Sequence, residues 1–206
     1  MAAVDAHYRY QLFDVGAPGR FSDGGIWRRS GFANYVETTL PQETTILPKS
    51  KITANHYVVG DAAFGLSWCL LSPFAGQTQD KLSTEKLIFN YRLSRARRIV
   101  ENVFGITANR WRLLRRCMEF QPEMAVVVTK AIGVLHNFCM EHVSTYDCDS
   151  KEPGTVSEDA GIGTLQLANC DRTSNRAGFN LRDRMCRYFS SEGALSWQEN
   201  MINKKY

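Results

Sequence analysis

The stretch from Asn90 to Gly105 reads NYRLSRARRIVENVFG, and the fold prediction starts from it. Neither proline nor glycine interrupts the chain between Lys81 and Gly105, so a long helix is predicted over residues 81–108. Glu101 lies within this helix. The apolar residues that recur near the helical repeat predict one buried stripe, formed by Ile99, Val100, Val103 and Ile106.

Before this helix, the opening of the chain predicts a hairpin and a helix. Two alternating apolar-polar runs, at residues 2–6 and 8–15, predict paired strands that stop at the breaker cluster of residues 16–19. A helix is then predicted to begin at Ser22 or Asp23, either of which could cap it, and to end near Glu37.

A second strand region precedes the long helix. Residues 38–54 are rich in proline and threonine and predict a loop. Tyr57–Val59 favours a short strand that ends at Gly60-Asp61, which puts the Asp61 carboxylate at the carboxyl end of that strand. Residues 62–74 predict a loop or a short helix.

The carboxyl-terminal half predicts one more long helix and a change in composition. Pro122 suits the first turn of a helix that runs to His142. Residues 1–143 are expected to form one domain of the α/β class. Residues 144–180 are rich in Ser, Thr, Asp, Asn and Gly and predict a disordered linker, and residues 181–206 predict a short helical segment.

Composition narrows the possible environments of the chain. The 206 residues contain 44% hydrophobic and 22% charged residues, enough for one core. Charged residues interrupt the first ten positions, so no secretory signal is expected. The longest apolar run, near residues 125–135, is broken by Thr129 and Lys130 and falls short of the about 20 residues of a membrane span. The six cysteines are scattered, as in reduced intracellular proteins.

Asp61 and Glu101 are the candidate catalytic acids. Phosphodiester cleavage with two metal ions uses carboxylates that converge from separate elements, because divalent cations neutralise their repulsion. A strand-end Asp followed by a helical Glu is the layout of RNase H-like nucleases. The alternative is structural: Asp61 is a turn residue, and Glu101 pairs with Arg97 and Arg98 of its own helix.

Four blocks of the sequence, and its end, resemble the DDE endonuclease domain of Harbinger-type transposases and their host-derived relatives. The blocks occur in the family's order. They are residues 15–23 (VGAPGRFSD), 59–64 (VGDAAF), 90–105 (NYRLSRARRIVENVFG) and 135–138 (LHNF). Residues 187–198 are similar to the family's carboxyl terminus.

The resemblance implies an RNase H-like mixed sheet flanked by helices, with Asp61 and Glu101 as the second and third acids of the triad. Both would bind a divalent metal, with Mg²⁺ expected because it prefers hard oxygen ligands. Asp23 matches another acid of the family and is a third candidate ligand, its alternative role being a helix N-cap. The family's first acid lies in an Asp-Gly-Thr-His block that has no match here, and Asp5 falls in a different block. The sequence therefore predicts a domain that lacks its first strand.

Basic charge is concentrated in one segment. Residues 92–116 contain eight arginines and one acid, although the whole chain carries a net charge of only +4. Arginine suits forked hydrogen bonds to phosphate, so the segment predicts a DNA-backbone surface; the alternative is a solvated helix face. These arginines are Arg92, Arg95, Arg97, Arg98, Arg110, Arg112, Arg115 and Arg116.

Two smaller features have competing interpretations. His136, Cys139 and His142 share a helix face and could bind zinc, but a fourth ligand is not evident and a core helix is the alternative. Trp111 could stack on a base, or pack in the core.

Two functions follow. The first is a transposase-derived, metal-dependent DNA endonuclease, acting in the nucleus (with the cytoplasm also possible) beside a separate Myb-like DNA-binding protein, with no membrane association. The second is a domesticated, non-catalytic remnant that binds DNA or a protein. Because one of three acids is missing, we expect this chain to cleave DNA weakly or not at all.

Overall fold

The computed structural model describes residues 1–75, 82–142 and 174–203 of the chain. These residues separate into two compact units. The larger unit contains Met1, Ala17–Glu101 and the described part of Asp171–Tyr206. The smaller unit contains Ala2–Gly16 and the described part of Asn102–Cys170. The mixed α/β class is confirmed, with short strands and longer helices in the described residues.

The smaller unit begins with the predicted hairpin, which is confirmed. Strand β1 (Ala2–Val4) pairs antiparallel with β2 (Tyr10–Phe13), and Ala3 lies opposite Leu12. Asp5 forms the turn, because its Oδ1 accepts hydrogen bonds from the backbone N–H groups of His7 and Arg9 at 2.8 and 3.0 Å. This carboxylate is therefore a turn residue.

Helix α4 (Pro122–His142) has the predicted bounds. Two of its residues, His136 and Asn137, contact the hairpin. The Asn137 side-chain amide makes two hydrogen bonds of 2.8 Å, accepting from the Tyr10 N–H and donating to the Tyr10 carbonyl. His136 Nε2 lies 2.7 Å from the Tyr8 carbonyl oxygen. A side-chain amide thus satisfies backbone groups that a neighbouring strand would otherwise pair.

Helix α4 is also, among the described helices, the one whose length and hydropathy would suffice to cross a membrane. That result rests on length and composition alone, and 17% of the apolar window is buried in the structure. Asn137 bonds to β2 and His136 bonds to Tyr8, so one face of the helix packs within the smaller unit.

In the larger unit, the single helix predicted from residue 22 to 37 is wrong. The segment forms two helices, α1 (Asp23–Arg29) and α2 (Phe32–Thr39). Gly31 separates them with a left-handed backbone, φ 69°, a conformation that glycine adopts without steric cost. The near-helical spacing of Ile26, Ser30, Ala33 and Val36 continues across this break, so periodicity did not reveal it.

The loop predicted over residues 38–54 also contains structure that the sequence did not indicate. Strands β3 (Thr44–Ile46) and β4 (Thr53–Asn55) form an antiparallel hairpin. The strand predicted at Tyr57–Val59 is confirmed as β5 (Val58–Val59), and it pairs in parallel with β6 (Leu70–Leu71), within a segment predicted as loop or helix. In the described residues the strands form three two-stranded sheets, so the single mixed sheet of the prediction is not present there.

Helix α3 (Thr84–Arg110) confirms the long helix, and the division between the units falls within it, after Glu101. Its buried side chains include Phe89, Leu93 and Val103, so only Val103 of the predicted stripe is fully buried. Phe89 and Leu93 join the core of the larger unit. The other members of that core are Ala54, Leu66, Leu71, Leu181, Met185, Cys186 and Tyr188.

The carboxyl-terminal segment is helical from Arg176, in α5 (Arg176–Ser190) and α6 (Gln198–Asn203). Asn175 caps α5 by accepting a hydrogen bond from the Gly178 N–H at 2.9 Å. The helix therefore begins five residues before the predicted boundary at 181. Most of the linker predicted over residues 144–180 lies outside the described residues.

Candidate nuclease site and arginine surfaces

Asp61 follows β5, at the strand end where the sequence placed it. The Gly60 N–H donates to the Leu71 carbonyl at 2.8 Å, which extends the β5–β6 pairing to the residue before the acid. Asp61 Oδ1 accepts from the Ala63 N–H at 2.7 Å, and the side chain is half-buried. The carboxylate is thus oriented by its own turn, which leaves Oδ2 without a hydrogen bond from the described residues.

Glu101 lies on α3 with 64% of its side chain exposed. Its Oε1 is 3.9 Å from Arg97 Nη2, one helical turn away, so the structural alternative is realised with Arg97. An exposed pair of this kind contributes at most about 1 kcal/mol to stability. The contact therefore leaves Glu101 accessible for another role.

Asp23 is the first residue of α1 and is exposed. Its alternative role as the N-cap is wrong, because Ser22 occupies that position and its Oγ accepts from the Gly25 N–H at 3.3 Å. Asp23 instead places a negative charge in the first turn, where the helix dipole favours it.

The described residues contain no group of three or more His, Cys, Asp or Glu side chains that could hold a metal ion. Asp23, Asp61 and Glu101 therefore do not make a complete two-metal centre by themselves in these ranges. The assignment of all three as metal ligands stays a prediction.

The zinc interpretation of His136, Cys139 and His142 is wrong for the same reason. His136 is fully buried, with Nδ1 3.1 Å from Thr107 Oγ1 and Nε2 against the Tyr8 carbonyl. Burial lowers the pKa of its imidazole, opposed by the hydrogen bond to Tyr8. Both ring nitrogens are occupied, so His136 is a core histidine. Trp111 packs at 6.2 Å between ring centroids from His136, which agrees with its alternative role in the core.

Two of the predicted DNA-binding arginines on α3 face aromatic rings of the carboxyl-terminal segment. The Arg92 guanidinium lies 4.3 Å from the centre of the Phe189 ring, and its Nη1 donates to the Gly193 carbonyl and to Gln198 Oε1 at 3.0 and 3.3 Å. Burial lowers the pKa of Arg92. Arg95 lies 4.5 Å from the Trp197 ring centre. These contacts dock the carboxyl-terminal segment on α3.

The remaining arginines differ in their contacts. Arg97 pairs with Glu101, and Arg98 is exposed on α3. In the smaller unit, the Arg110 guanidinium lies 5.6 Å from the Trp111 ring centre, and Arg115 donates to Asn109 Oδ1. The short 3-10 helix Arg112–Arg115 and the residue after it expose three guanidinium groups, those of Arg112, Arg115 and Arg116.

Comparisons with known proteins agree with the four sequence blocks. Residues 1–137 match the family described as DDE superfamily endonuclease. The chain is 26% identical over 190 residues to the protein named Protein ALP1-like of Arabidopsis thaliana, an alignment that covers 90% of this chain and 45% of that relative. The chain thus spans about half the length of the curated relative it matches. No solved structure matches it significantly. This chain belongs to the DDE superfamily endonuclease family.

Proposed function

We propose that the chain is the endonuclease part of a Harbinger-type, transposase-derived protein that acts on DNA. The observation that carries this proposal is the match of residues 1–137 to the DDE superfamily endonuclease family. It is supported by the order of the four blocks and by the position of Asp61 directly after a strand that pairs in parallel.

DNA contact is proposed for the exposed arginines. Arg98 on α3, and Arg112, Arg115 and Arg116 around the 3-10 helix, present guanidinium groups to solvent. Such groups bind phosphate oxygens without reading base sequence, so binding is expected to be salt-sensitive and largely sequence-independent. Arg92 is a weaker candidate, because its contacts with Phe189, Gly193 and Gln198 already occupy it.

Asp61 and Glu101, with Asp23 as an additional ligand, are the residues that we propose for a divalent metal, Mg²⁺. Because the described residues gather no set of three ligands, this chain on its own is expected to have little or no metal-dependent nuclease activity. We further propose a nuclear location and a separate Myb-like partner, both on the resemblance to Harbinger-type proteins alone.

A plasmid-nicking assay with Mg²⁺ tests the catalytic part. We compare the 206-residue chain, its Asp61→Asn variant, and a version extended at its amino terminus by an Asp-Gly-Thr-His strand. The expected result is little nicking by the chain and measurable nicking by the extended version. Asp61→Asn should abolish the latter. Robust nicking by the unextended chain that Asp61→Asn removes would contradict the incomplete metal centre.

The second candidate is a non-catalytic remnant that binds DNA or a protein. The lack of a three-ligand cluster among the described residues favours it for this chain. Salt-sensitive DNA binding without nicking in any version, the extended one included, would support this candidate over the endonuclease.

A further inference from the structure

A basic groove lies in the larger unit, between β4 and α5, and none of the residues proposed for the metal lines it. Its volume is about 500 Å³. The groove is lined by Lys51, Ile52, Thr53, Arg184, Arg187, Ser191 and Glu192. Three of these side chains are cationic and one is anionic.

Helix α5 forms one wall of the groove. Arg184 and Arg187 stand three residues apart, which places them along one face of the helix, and Ser191 follows its last residue. Leu181 and Met185 are buried in the core, which fixes the rotation of α5. The guanidinium groups are therefore presented by a packed helix.

The opposite wall comes from the β3–β4 hairpin. Arg184 Nη1 donates to the Thr53 carbonyl at 2.8 Å, a bond that ties the helix to β4 and holds the guanidinium at the groove. An arginine has five N–H donors, so this bond leaves others to face a ligand. Lys51 is exposed, just before β4, and adds an ammonium group.

The chemistry of this lining suits an oxyanion. Guanidinium, ammonium and hydroxyl groups supply donors, and Ile52 is the apolar residue among the lining side chains. Glu192 opposes the cations, but its carboxylate accepts a hydrogen bond from Ser191 Oγ at the groove's edge, and the net charge of the lining stays positive. Arginine forks match phosphate oxygens in particular.

We propose that this groove binds the phosphodiester backbone of a nucleic acid. The groove is open and larger than a single phosphate requires, which favours a polymer backbone that passes through it. This contact goes beyond the proposed function, because it uses neither the acids Asp61 and Glu101 nor the arginines of residues 92–116.

The test compares two double variants of the full chain that remove the same charge. Lys51→Gln with Arg187→Gln neutralises the groove without touching the Arg184–Thr53 bond. Lys130→Gln with Arg176→Gln is the matched control, since both residues are exposed and lie outside the groove. The probe is a fluorescein-labelled 20-base-pair DNA duplex of mixed sequence, followed by anisotropy over a range of NaCl concentrations.

The groove variant is expected to bind about tenfold more weakly at low salt, and the slope of log affinity against log salt should fall by about 1 to 2, because each phosphate contact contributes about 0.9. The control variant should lose less than about threefold. Equal losses in the two variants would overturn the proposal. Unchanged circular dichroism and thermal midpoints verify that both variants are folded.

The last measurement is a titration of the protein with inorganic phosphate. It follows the backbone amide chemical shifts of Thr53 and Ser191 by NMR. Phosphate-induced shifts together with an unchanged duplex affinity of the groove variant would assign the groove to a small anion and overturn the proposal. A separate Arg98→Gln, Arg112→Gln variant isolates the arginine surfaces of the proposed function. A loss of duplex affinity in that variant alone would contradict binding at the groove and leave the proposed function standing. Absence of nicking would contradict the catalytic proposal and has no bearing on the groove.

Discussion

The arginines of α3 and the basic groove beside α5 make an instructive comparison. On α3 the arginines are dense in the sequence, yet Arg92 and Arg95 lie over the rings of Phe189 and Trp197 and Arg97 pairs with Glu101. In the groove, Lys51 and Arg187 are far apart in the sequence but line one open volume. Density of charge along a chain therefore does not measure the charge that is available to a ligand.

Replacing Arg92 is expected to produce the largest effect on stability. Arg92→Ala removes the contact with Phe189 and two hydrogen bonds, and it leaves the Oε1 atom of the buried Gln198 without its donor. The expected loss is about 2 to 3 kcal/mol of unfolding free energy, from the cation–π contact and the unsatisfied acceptor. Urea unfolding of the larger unit measures it.

The matched control is Arg98→Ala on the same helix, since Arg98 is exposed. It should change stability by no more than about 0.5 kcal/mol. If the two variants were equally stable, Arg92 would be a solvent-facing residue like Arg98. The contrast between occupied arginines on α3 and available cations in the groove would then fail.

His136 is a basic residue that, unlike these arginines, stabilises the fold in its uncharged form. Burial lowers the pKa of His136, so the folded state resists a proton that the unfolded chain accepts. This contribution to stability is fully present above the unfolded pKa, near 6.5, and is lost as pH falls from there towards the lowered folded pKa. A loss of stability between pH 7.5 and 5 is therefore expected in the smaller unit.

The pH dependence is measured on His136→Gln, whose amide retains a donor and an acceptor and does not titrate in this range. The variant should lose less stability on acidification than the wild type does. His142→Gln, an exposed position on the same helix, is the control and should behave as the wild type. Identical pH profiles for all three proteins would place the acid sensitivity elsewhere.

The smallest effect is expected from Glu101→Gln. The 3.9 Å contact with Arg97 is solvent-exposed, so its loss should change stability by less than about 0.5 kcal/mol. In the amino-terminally extended version, the same substitution should remove metal-dependent nicking, because Glu101 is proposed as a ligand. A large loss of stability would mean that Glu101 has a structural role instead.

The sequence predicted those helices and strands whose formation depends on residues close to one another along the chain. The long uninterrupted stretch gave α3, Pro122 gave the start of α4, and the alternating runs gave the β1–β2 hairpin. The break at Gly31 was missed because the apolar spacing continues across it. Strands β3, β4 and β6 were missed because they are two or three residues long and form only through pairing with a partner.

For the candidate site, the sequence predicted where Asp61 lies along its strand but not what surrounds it. The turn that binds Asp61 Oδ1 requires only the next two residues, so it follows from local chemistry. The contacts of Arg92 are with Phe189 and Gln198, about a hundred positions away, and no local sequence pattern indicates them. The groove depends on Lys51 and α5 meeting, for the same reason.

The bonds between Asn137 and Tyr10 determine where the first sheet can grow. Strand β2 has β1 along one edge, and at Tyr10 its other edge already bonds to the Asn137 amide in both directions. A further strand approaching that edge would have to displace the side chain and strip two satisfied backbone groups. At Tyr10, pairing of a further strand along this edge of β2 therefore requires the loss of both Asn137 hydrogen bonds.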